Sequence, residues 1–264
     1  MTRELECRRV TRPADTTIEY TVSGPVDGRI MVLIHGWACD RSDYDPIVQQ
    51  LADDVRTIAV DLAEHGDSRS SRDDYSMREL ARDVVAVLEA EDVSDARVVG
   101  HSLGGAVAVE VALLAPERVQ SVAALDALHY TFLFGSLDDQ QADGFLSMLR
   151  DDFPALVRSM VEAGSPDGTA ESLKDEYFER MVSVRQPAGS AAYEGLVRWK
   201  MEDALRAVTR PVTVYGIREM IAEGAPGVLA GFGVEVVPID LGSHHFAVEN
   251  PEGTAKLLGE IVDA

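Results

Sequence analysis

Short runs of aliphatic and β-branched residues alternate along this chain with longer stretches in which apolar positions recur at helical spacing. The short runs predict buried strands at residues 30–34, 55–60, 96–99, 122–125, 212–215 and 234–239. The longer stretches predict helices at residues 44–51, 76–90, 106–115, 225–229 and 251–262. Strands that alternate with helices are typical of a mostly parallel central sheet flanked by helices, so the sequence predicts an α/β fold.

The strand pattern stops between residues 128 and 200, where only helical spacing remains. Helices are predicted there at 140–150, 154–163, 170–184 and 190–200. A helical block inserted between two strands of one sheet is expected to cover that sheet as a lid, so we predict a core of residues 1–127 and 201–264 and a helical lid at 128–200. The large apolar side chains of this lid are expected to line a pocket or to form the core of the lid itself: Phe132, Phe134, Leu146, Met148, Leu149, Met160, Tyr177, Phe178, Met181 and Trp199.

The composition excludes several classes of protein and partner. With 46% hydrophobic and 27% charged residues, the 264-residue chain resembles a globular domain rather than a disordered or fibrous one. Its 46 acidic and 24 basic residues give a net charge of −22, which repels phosphates, so neither nucleic acid nor an anionic membrane is expected as a partner. The polar N-terminal residues and the two isolated cysteines predict a cytoplasmic protein without a disulfide framework or zinc site.

The most specific motif for catalysis is G-x-S-x-G at residues 100–104, which lies between a predicted strand and a predicted helix. A serine on such a tight turn occupies a strained backbone region, and glycines on both sides avoid steric clashes. The turn would expose the Ser102 hydroxyl above the sheet and place the Leu103 N–H at a helix N-terminus, where anions are stabilised. We predict a nucleophilic serine here; the alternative is a helix start whose small residues only pack against the sheet.

This motif and three other segments resemble the α/β-hydrolase superfamily: the turn at residues 35–37, the D-x-x-x-H-G-x-S stretch at 61–68, and the sequence HHFAVENPE at 244–252. The resemblance covers essentially the whole chain and implies a helical lid between the sixth and seventh strands. It also implies a nucleophile, a histidine base, a carboxylate and two backbone oxyanion donors. The donors would be the N–H groups of Trp37 and Leu103, while His35 would brace the loop.

Two adjacent histidines near the C-terminus are candidates for the base. In the superfamily this histidine often precedes an acidic residue by five positions and a proline by seven, and His244 has that spacing to Glu249 and Pro251. His245 is followed by Phe246, the aromatic neighbour that the base usually has. We favour His244 and keep His245 as the alternative.

Two acidic residues are candidates for the carboxylate that orients the base. Glu219 lies in a G-x-x-E sequence after the seventh strand, where the superfamily usually has aspartate, and Asp126 ends the sixth strand. We favour Asp126, because its shorter side chain at a strand terminus can be held more rigidly. His65, His101 and His129 lie at strand or helix junctions and are expected to be neutral, hydrogen-bonded structural residues.

These residues together predict acyl transfer through an acyl-enzyme, with a small, largely apolar ester or lactone as the substrate. We expect no cofactor and no metal, and a monomer or small homo-oligomer. The chain is also similar to cofactor-free quinolone-ring dioxygenases of the same fold. Those enzymes place histidines where Cys39 and Leu103 lie here, so this chain lacks the imidazoles that would bind and deprotonate a hydroxyquinolone, and we favour hydrolysis over ring cleavage by oxygen. A third possibility is a small-molecule receptor that retains the hydrolase fold but does not turn its ligand over.

Overall fold

An eight-stranded sheet forms the centre of the molecule in the computed structural model, which describes residues 3–129 and 137–264. The strand order is β1-β2-β4-β3-β5-β6-β7-β8; β1 and β2 are antiparallel to their neighbours, and β3 to β8 are parallel to one another. This arrangement confirms the predicted α/β class. The strands are β1 Glu6–Arg12, β2 Thr16–Ser23, β3 Arg29–Ile34, β4 Val55–Val60, β5 Ala96–His101, β6 Val119–Leu125, β7 Val212–Ile217 and β8 Glu235–Ile239.

The described helices connect these strands and cover both faces of the sheet. Four of them begin with a side chain that accepts a hydrogen bond from a backbone N–H of the first turn; the capping residues are Ser76, Asp138, Asp152 and Asn250. The helices are α1 Asp45–Val48, α2 Met77–Ala90, α3 Leu103–Leu114, α4 Asp139–Asp151, α5 Phe153–Ala163, α6 Glu171–Val182, α7 Ala188–Val197, α8 Met201–Ala207, α9 Ala225–Ala230, α10 Phe246–Glu249 and α11 Pro251–Asp263.

Two hydrophobic cores lie on opposite faces of the sheet, because successive side chains of a strand point in opposite directions. In β3, Val32 and Ile34 pack into the core that α2 and α3 cover. Met31 and Leu33 pack into the core on the other face, beneath α1 and α11. These four side chains are fully buried, which explains why β3 contains a continuous apolar run in the sequence.

The N-terminal hairpin of β1 and β2 is a feature that the sequence analysis did not predict. In β2 the buried residues Ile18 and Tyr20 alternate with the partly exposed Glu19, a period-two pattern typical of a strand. β1 carries mostly polar residues, and it is held at the edge of the sheet by its ladder to β2, by the ion pairs Arg8–Glu91 and Arg12–Glu79, and by the packing of Val10 against the core.

Helices α4 to α8 lie in the chain between β6 and β7 and contact the loops at the carboxyl end of the sheet. The Trp37 indole N–H donates to the Gly189 carbonyl at 2.8 Å, and Arg180 of α6 forms an ion pair with Asp43 at 2.7 Å. Phe132 and Phe134 lie outside the described residues. No helix within the described ranges has the length and apolar character needed to cross a membrane.

Candidate active site

Ser102 occupies the turn between β5 and α3 with backbone angles φ 52° and ψ −120°, a region that residues with a side chain rarely adopt. A Cβ atom at Gly100 would lie 2.0 Å from the Gly104 carbonyl oxygen, and one at Gly104 would lie 2.4 Å from the Ile34 carbonyl oxygen. A side chain fits at neither position. The two glycines of the motif therefore allow α3 to pack closely against β5 and β3. The turn brings Ser102 to the wall of a cavity, at the N-terminus of a helix.

The turn at residues 35–37 packs directly against this elbow. A Cβ atom at Gly36 would lie 3.3 Å from the Ser102 Cβ, so the backbone of the turn borders the serine. Trp37 follows Gly36, and Leu103 is the first residue of α3. Of the two predicted oxyanion donors, Trp37 therefore lies in the turn that borders Ser102, and Leu103 directly follows Ser102 at the start of α3.

His35 and His65 brace these loops from behind as buried, neutral rings. His35 donates from Nδ1 to the Gly36 carbonyl at 2.7 Å and accepts at Nε2 from the Leu62 N–H at 3.0 Å. His65 donates from Nδ1 to the Ala63 carbonyl at 3.0 Å. Burial lowers the pKa of each ring to about 4, so both rings are uncharged at neutral pH.

Asp126 and His244 are brought together at the carboxyl end of the sheet. Asp126 follows β6 with a positive φ of 43° and is fully buried. Its Oδ2 accepts a hydrogen bond from His244 Nδ1 at 2.5 Å, and its Oδ1 accepts one from the Ile217 N–H and one from His129 Nε2, both at 2.9 Å. Burial acts to raise the pKa of Asp126, but the hydrogen bonds from His129 and His244 outweigh it and hold that pKa well below its usual range.

The alternative base and acid lie in different surroundings. The His245 ring stacks on Tyr177 of α6 with ring centres 3.9 Å apart, and burial lowers its pKa well below the ordinary value. Glu219 is exposed in a short helical turn at Arg218–Met220 and borders a surface pocket that does not include Ser102. Of the candidates, the structure joins His244 to Asp126.

Two histidines treated as structural in the sequence analysis contact this pair directly. His101 donates from Nε2 to the His244 backbone carbonyl at 2.8 Å, and their ring centres are 4.7 Å apart. Burial and the neighbouring His244 lower the pKa of His101 to about 3. His129 binds Asp126. Neither contact leaves a signal in the sequence, because each depends on loops that meet only in the folded chain.

The inserted helices also reach this loop. The His244 backbone N–H donates to the Gly164 carbonyl at the end of α5, at 2.9 Å. Tyr177 stacks on His245 and donates its hydroxyl hydrogen to Glu249 at 2.6 Å. The predicted base therefore lies between the sheet and the helices that cover it.

A cavity of about 360 Å³ opens beside Ser102. His101, His244 and His245 line it together with Cys39, whose thiol has its pKa raised to about 12 by burial. No aspartate, glutamate, lysine or arginine of the described residues lines it. The rest of the wall is mainly apolar: Trp37, Phe145, Met148, Leu156, Met160, Ala163, Met181, Tyr193 and Leu196. Within the described ranges, no group of three or more histidine, cysteine, aspartate or glutamate side chains is placed to hold a metal ion.

Residues 29–165, just over half of the chain, match the family model described as the alpha/beta hydrolase fold. The chain belongs to the α/β-hydrolase fold family. This α/β hydrolase is 29% identical over 253 residues to a 2-(acetamidomethylene)succinate hydrolase from Mesorhizobium japonicum, covering 90% of this chain and 89% of that protein. It is 31% identical over 199 residues to the magnesium-chelatase 30 kDa subunit of Rhodobacter capsulatus, covering 74% of this chain and 66% of that protein.

Among solved structures, this α/β hydrolase is similar to Est816, described as an N-acyl homoserine lactone degrading enzyme. The TM-score is 0.79 at 24% identity, covering 95% of this chain and 98% of that one, a likeness that shows the shared fold. Several of the curated relatives are matched over only a third to two thirds of their own length.

Proposed function

We propose that this chain is a serine hydrolase that cleaves a carboxylic ester or lactone of a small, largely apolar molecule through an acyl-enzyme. The observation that carries the proposal is the hydrogen bond between His244 and Asp126 on the same cavity that Ser102 lines. With its Nδ1 proton donated to Asp126, the imidazole of His244 has its other ring nitrogen, Nε2, to act as the base. The hydrolase membership of the chain supports the reaction class.

In the first half of the reaction, His244 Nε2 removes the Ser102 hydroxyl proton while Oγ forms a bond to the substrate carbonyl carbon. The backbone N–H groups of Trp37 and Leu103 stabilise the oxyanion, and a single donor of this kind contributes about 3 kcal/mol in the transition state. The carbonyl re-forms as the carbon–oxygen bond to the leaving group breaks, and the imidazolium returns its proton to that oxygen. A water molecule then resolves the acyl-enzyme, with His244 again as the base.

Asp126 has two tasks in this scheme. Its ionised carboxylate fixes the tautomer of His244 that leaves Nε2 unprotonated, and it stabilises the imidazolium that forms after proton transfer. Because the hydrogen bonds from His129 and His244 hold the pKa of Asp126 low despite its burial, the carboxylate remains charged throughout the neutral pH range.

The cavity supports a neutral and apolar substrate. The relative from Mesorhizobium japonicum is named for a succinate derivative, which carries two carboxylates. The cavity wall has no lysine or arginine among the described residues to bind such groups, and burying an unpaired charge there would be costly. A neutral ester, or a lactone such as the class named for Est816, suits this wall better.

Hydrolysis of p-nitrophenyl acetate and butyrate tests the proposal. Ser102→Ala is expected to lower kcat by about 10⁶-fold, while Ser71→Ala, which changes an exposed serine away from the cavity, should leave it unchanged. Full activity of Ser102→Ala would overturn the mechanism. Oxygen uptake with a 3-hydroxyquinolone that survives Ser102→Ala would instead support the dioxygenase, and tight ligand binding without turnover would support the receptor.

A further inference from the structure

Asp126 carries a second histidine besides His244. His129 lies three residues beyond Asp126, is fully buried, and its Nε2 is 2.9 Å from Asp126 Oδ1. The Ile217 N–H donates to the same oxygen, while His244 binds Oδ2. We infer that His129 is a positioning residue, which donates a hydrogen bond to Oδ1 and so fixes the carboxylate for His244; this role rests on the proposed hydrolase function.

The surroundings of His129 select the tautomer that can do this. Its Nδ1 is buried and has no hydrogen-bond partner within the described residues. A proton on Nδ1 would therefore be buried without an acceptor, whereas a proton on Nε2 points at a carboxylate oxygen. The ring thus carries a proton on Nε2 and donates it to Asp126.

The end of β7 is shaped to admit this ring. A Cβ atom at Gly216 would lie 3.1 Å from the His129 Cδ2, so a side chain at that position would crowd the imidazole. The next residue, Ile217, supplies its N–H to Asp126, and the Ala222 N–H donates to the His129 backbone carbonyl at 3.3 Å. The segment at residues 216–222, which contains the alternative acid Glu219, therefore holds Asp126 and His129 in place.

The two donors on Oδ1 have a consequence for catalysis. They hold the carboxylate plane, leave Oδ2 to His244, and spread the negative charge over both oxygens. Without His129, Asp126 would lose one of the three donors described here, and its charge would be less stabilised in a fully buried position. The carboxylate and the histidine that it holds would then take up a proton more readily, so activity would be lost at a higher pH.

Other titratable groups face His244 from the surrounding elements, but they do not set this pH. The rings of His101 and His245 lie with their centres 4.7 and 5.7 Å from that of His244, and burial keeps both uncharged. On α6, Tyr177 is bound to Glu249 of α10, and Arg180 is paired with Asp40 and Asp43. The Cys39 thiol on the cavity wall is protonated.

Two variants separate the hydrogen bond that His129 donates from the space that its ring fills. His129→Phe keeps a ring of similar size without a donor, and His129→Gln keeps an amide N–H that can reach Asp126. For the hydrolysis of p-nitrophenyl butyrate, we expect His129→Phe to lower kcat about tenfold, with little change in KM, and to move the acidic limb of the kcat/KM profile up by about half a pH unit. His129→Gln should keep most of the wild-type kcat, and the acidic limb of its kcat/KM profile should lie at the wild-type pH. An unmoved limb in both variants would overturn the role.

A second measurement tests the contact without relying on activity. In the wild-type protein labelled with 15N-histidine, the ring of His129 should be the Nε2–H tautomer, and its proton should shift when Asp126 is replaced in Asp126→Asn. An Nδ1–H tautomer, or a His129 signal insensitive to Asp126→Asn, would overturn the inference even if His129→Phe failed to fold. If Ser102→Ala retained activity, the proposed function would fail while this contact would still be measurable.

Discussion

Buried neutral histidines should make this protein sensitive to mild acid. Burial lowers the pKa of His35 and His65 to about 4 and that of His101 to about 3, whereas in the unfolded chain each is near 6.5. Because the folded pKa values are depressed, the unfolded state binds more protons as the pH falls. The stability that these rings contribute is therefore complete above about pH 6.5 and is lost progressively as the pH falls towards 4.

The size of the effect follows from the same pKa values. A pH of 5 is about 1.5 units below the pKa of a histidine in the unfolded chain, but it is still above the pKa of these rings in the folded protein. Protonation of each ring in the unfolded state therefore lowers the free energy of unfolding by about 2 kcal/mol. These three rings together should remove about 6 kcal/mol between pH 7.5 and pH 5, comparable with the whole stability of many domains, and His245, whose pKa is also lowered by burial, adds to the loss. Carboxylates contribute little in this window because most of them titrate at lower pH.

Urea unfolding followed by circular dichroism at a series of pH values from 7.5 to 5 measures this loss. His65→Gln tests its origin, since removing one such ring should reduce the change in unfolding free energy by about 2 kcal/mol, whatever the stability of the variant at pH 7.5. If the unfolding free energy of the wild type changed by less than about 2 kcal/mol, or if His65→Gln showed the same pH dependence, burial of these rings would not be the cause of the acid sensitivity.

Four further outcomes are expected. Asp126→Asn should lower kcat about 10³- to 10⁴-fold because the amide no longer fixes the tautomer of the base, whereas Glu219→Gln should match the wild type; steady-state kinetics decide. Met160→Trp should raise KM for butyrate esters more than for acetate esters, since it narrows the cavity, and equal KM changes would contradict this. Gly104→Ala should destabilise the fold by about 3 kcal/mol or more, whereas Gly144→Ala, whose added Cβ meets nothing within 4 Å, should not; thermal unfolding compares them. Neutral esters should show higher kcat/KM at low salt than matched anionic esters, because the protein carries a charge of −22; equal values would refute this.

The fold was predictable wherever burial left a pattern in the sequence. The run at 30–34 coincides with β3 to within one residue because that strand is buried on both faces. β1 left no such pattern, since its polar residues are placed by pairing with β2. The helix α8 Met201–Ala207 was also not predicted, because the spacing of 190–200 does not mark the break that separates it from α7.

The candidate site was predictable only where its chemistry is local. Ser102 lies in a motif whose glycines are required by contacts within a few residues of it and with β3. The choice between Asp126 and Glu219 could not be made from spacing, because it depends on a turn with positive φ at Asp126 and on where the loop of His244 lies. His129 was missed for the same reason, since that turn is what returns its ring to Asp126.

Trapping the covalent intermediate shows directly whether Ser102 is the nucleophile. The protein is mixed with p-nitrophenyl butyrate, quenched in acid within the first turnovers, digested and analysed by mass spectrometry. A butyryl group is expected on the peptide containing Ser102, strongly reduced in His244→Gln because His244 also deprotonates Ser102 in the first step, and absent in Ser102→Ala. Product formation by the wild-type enzyme with no acyl group on that serine under any quench time, or with the group on another residue, would contradict it.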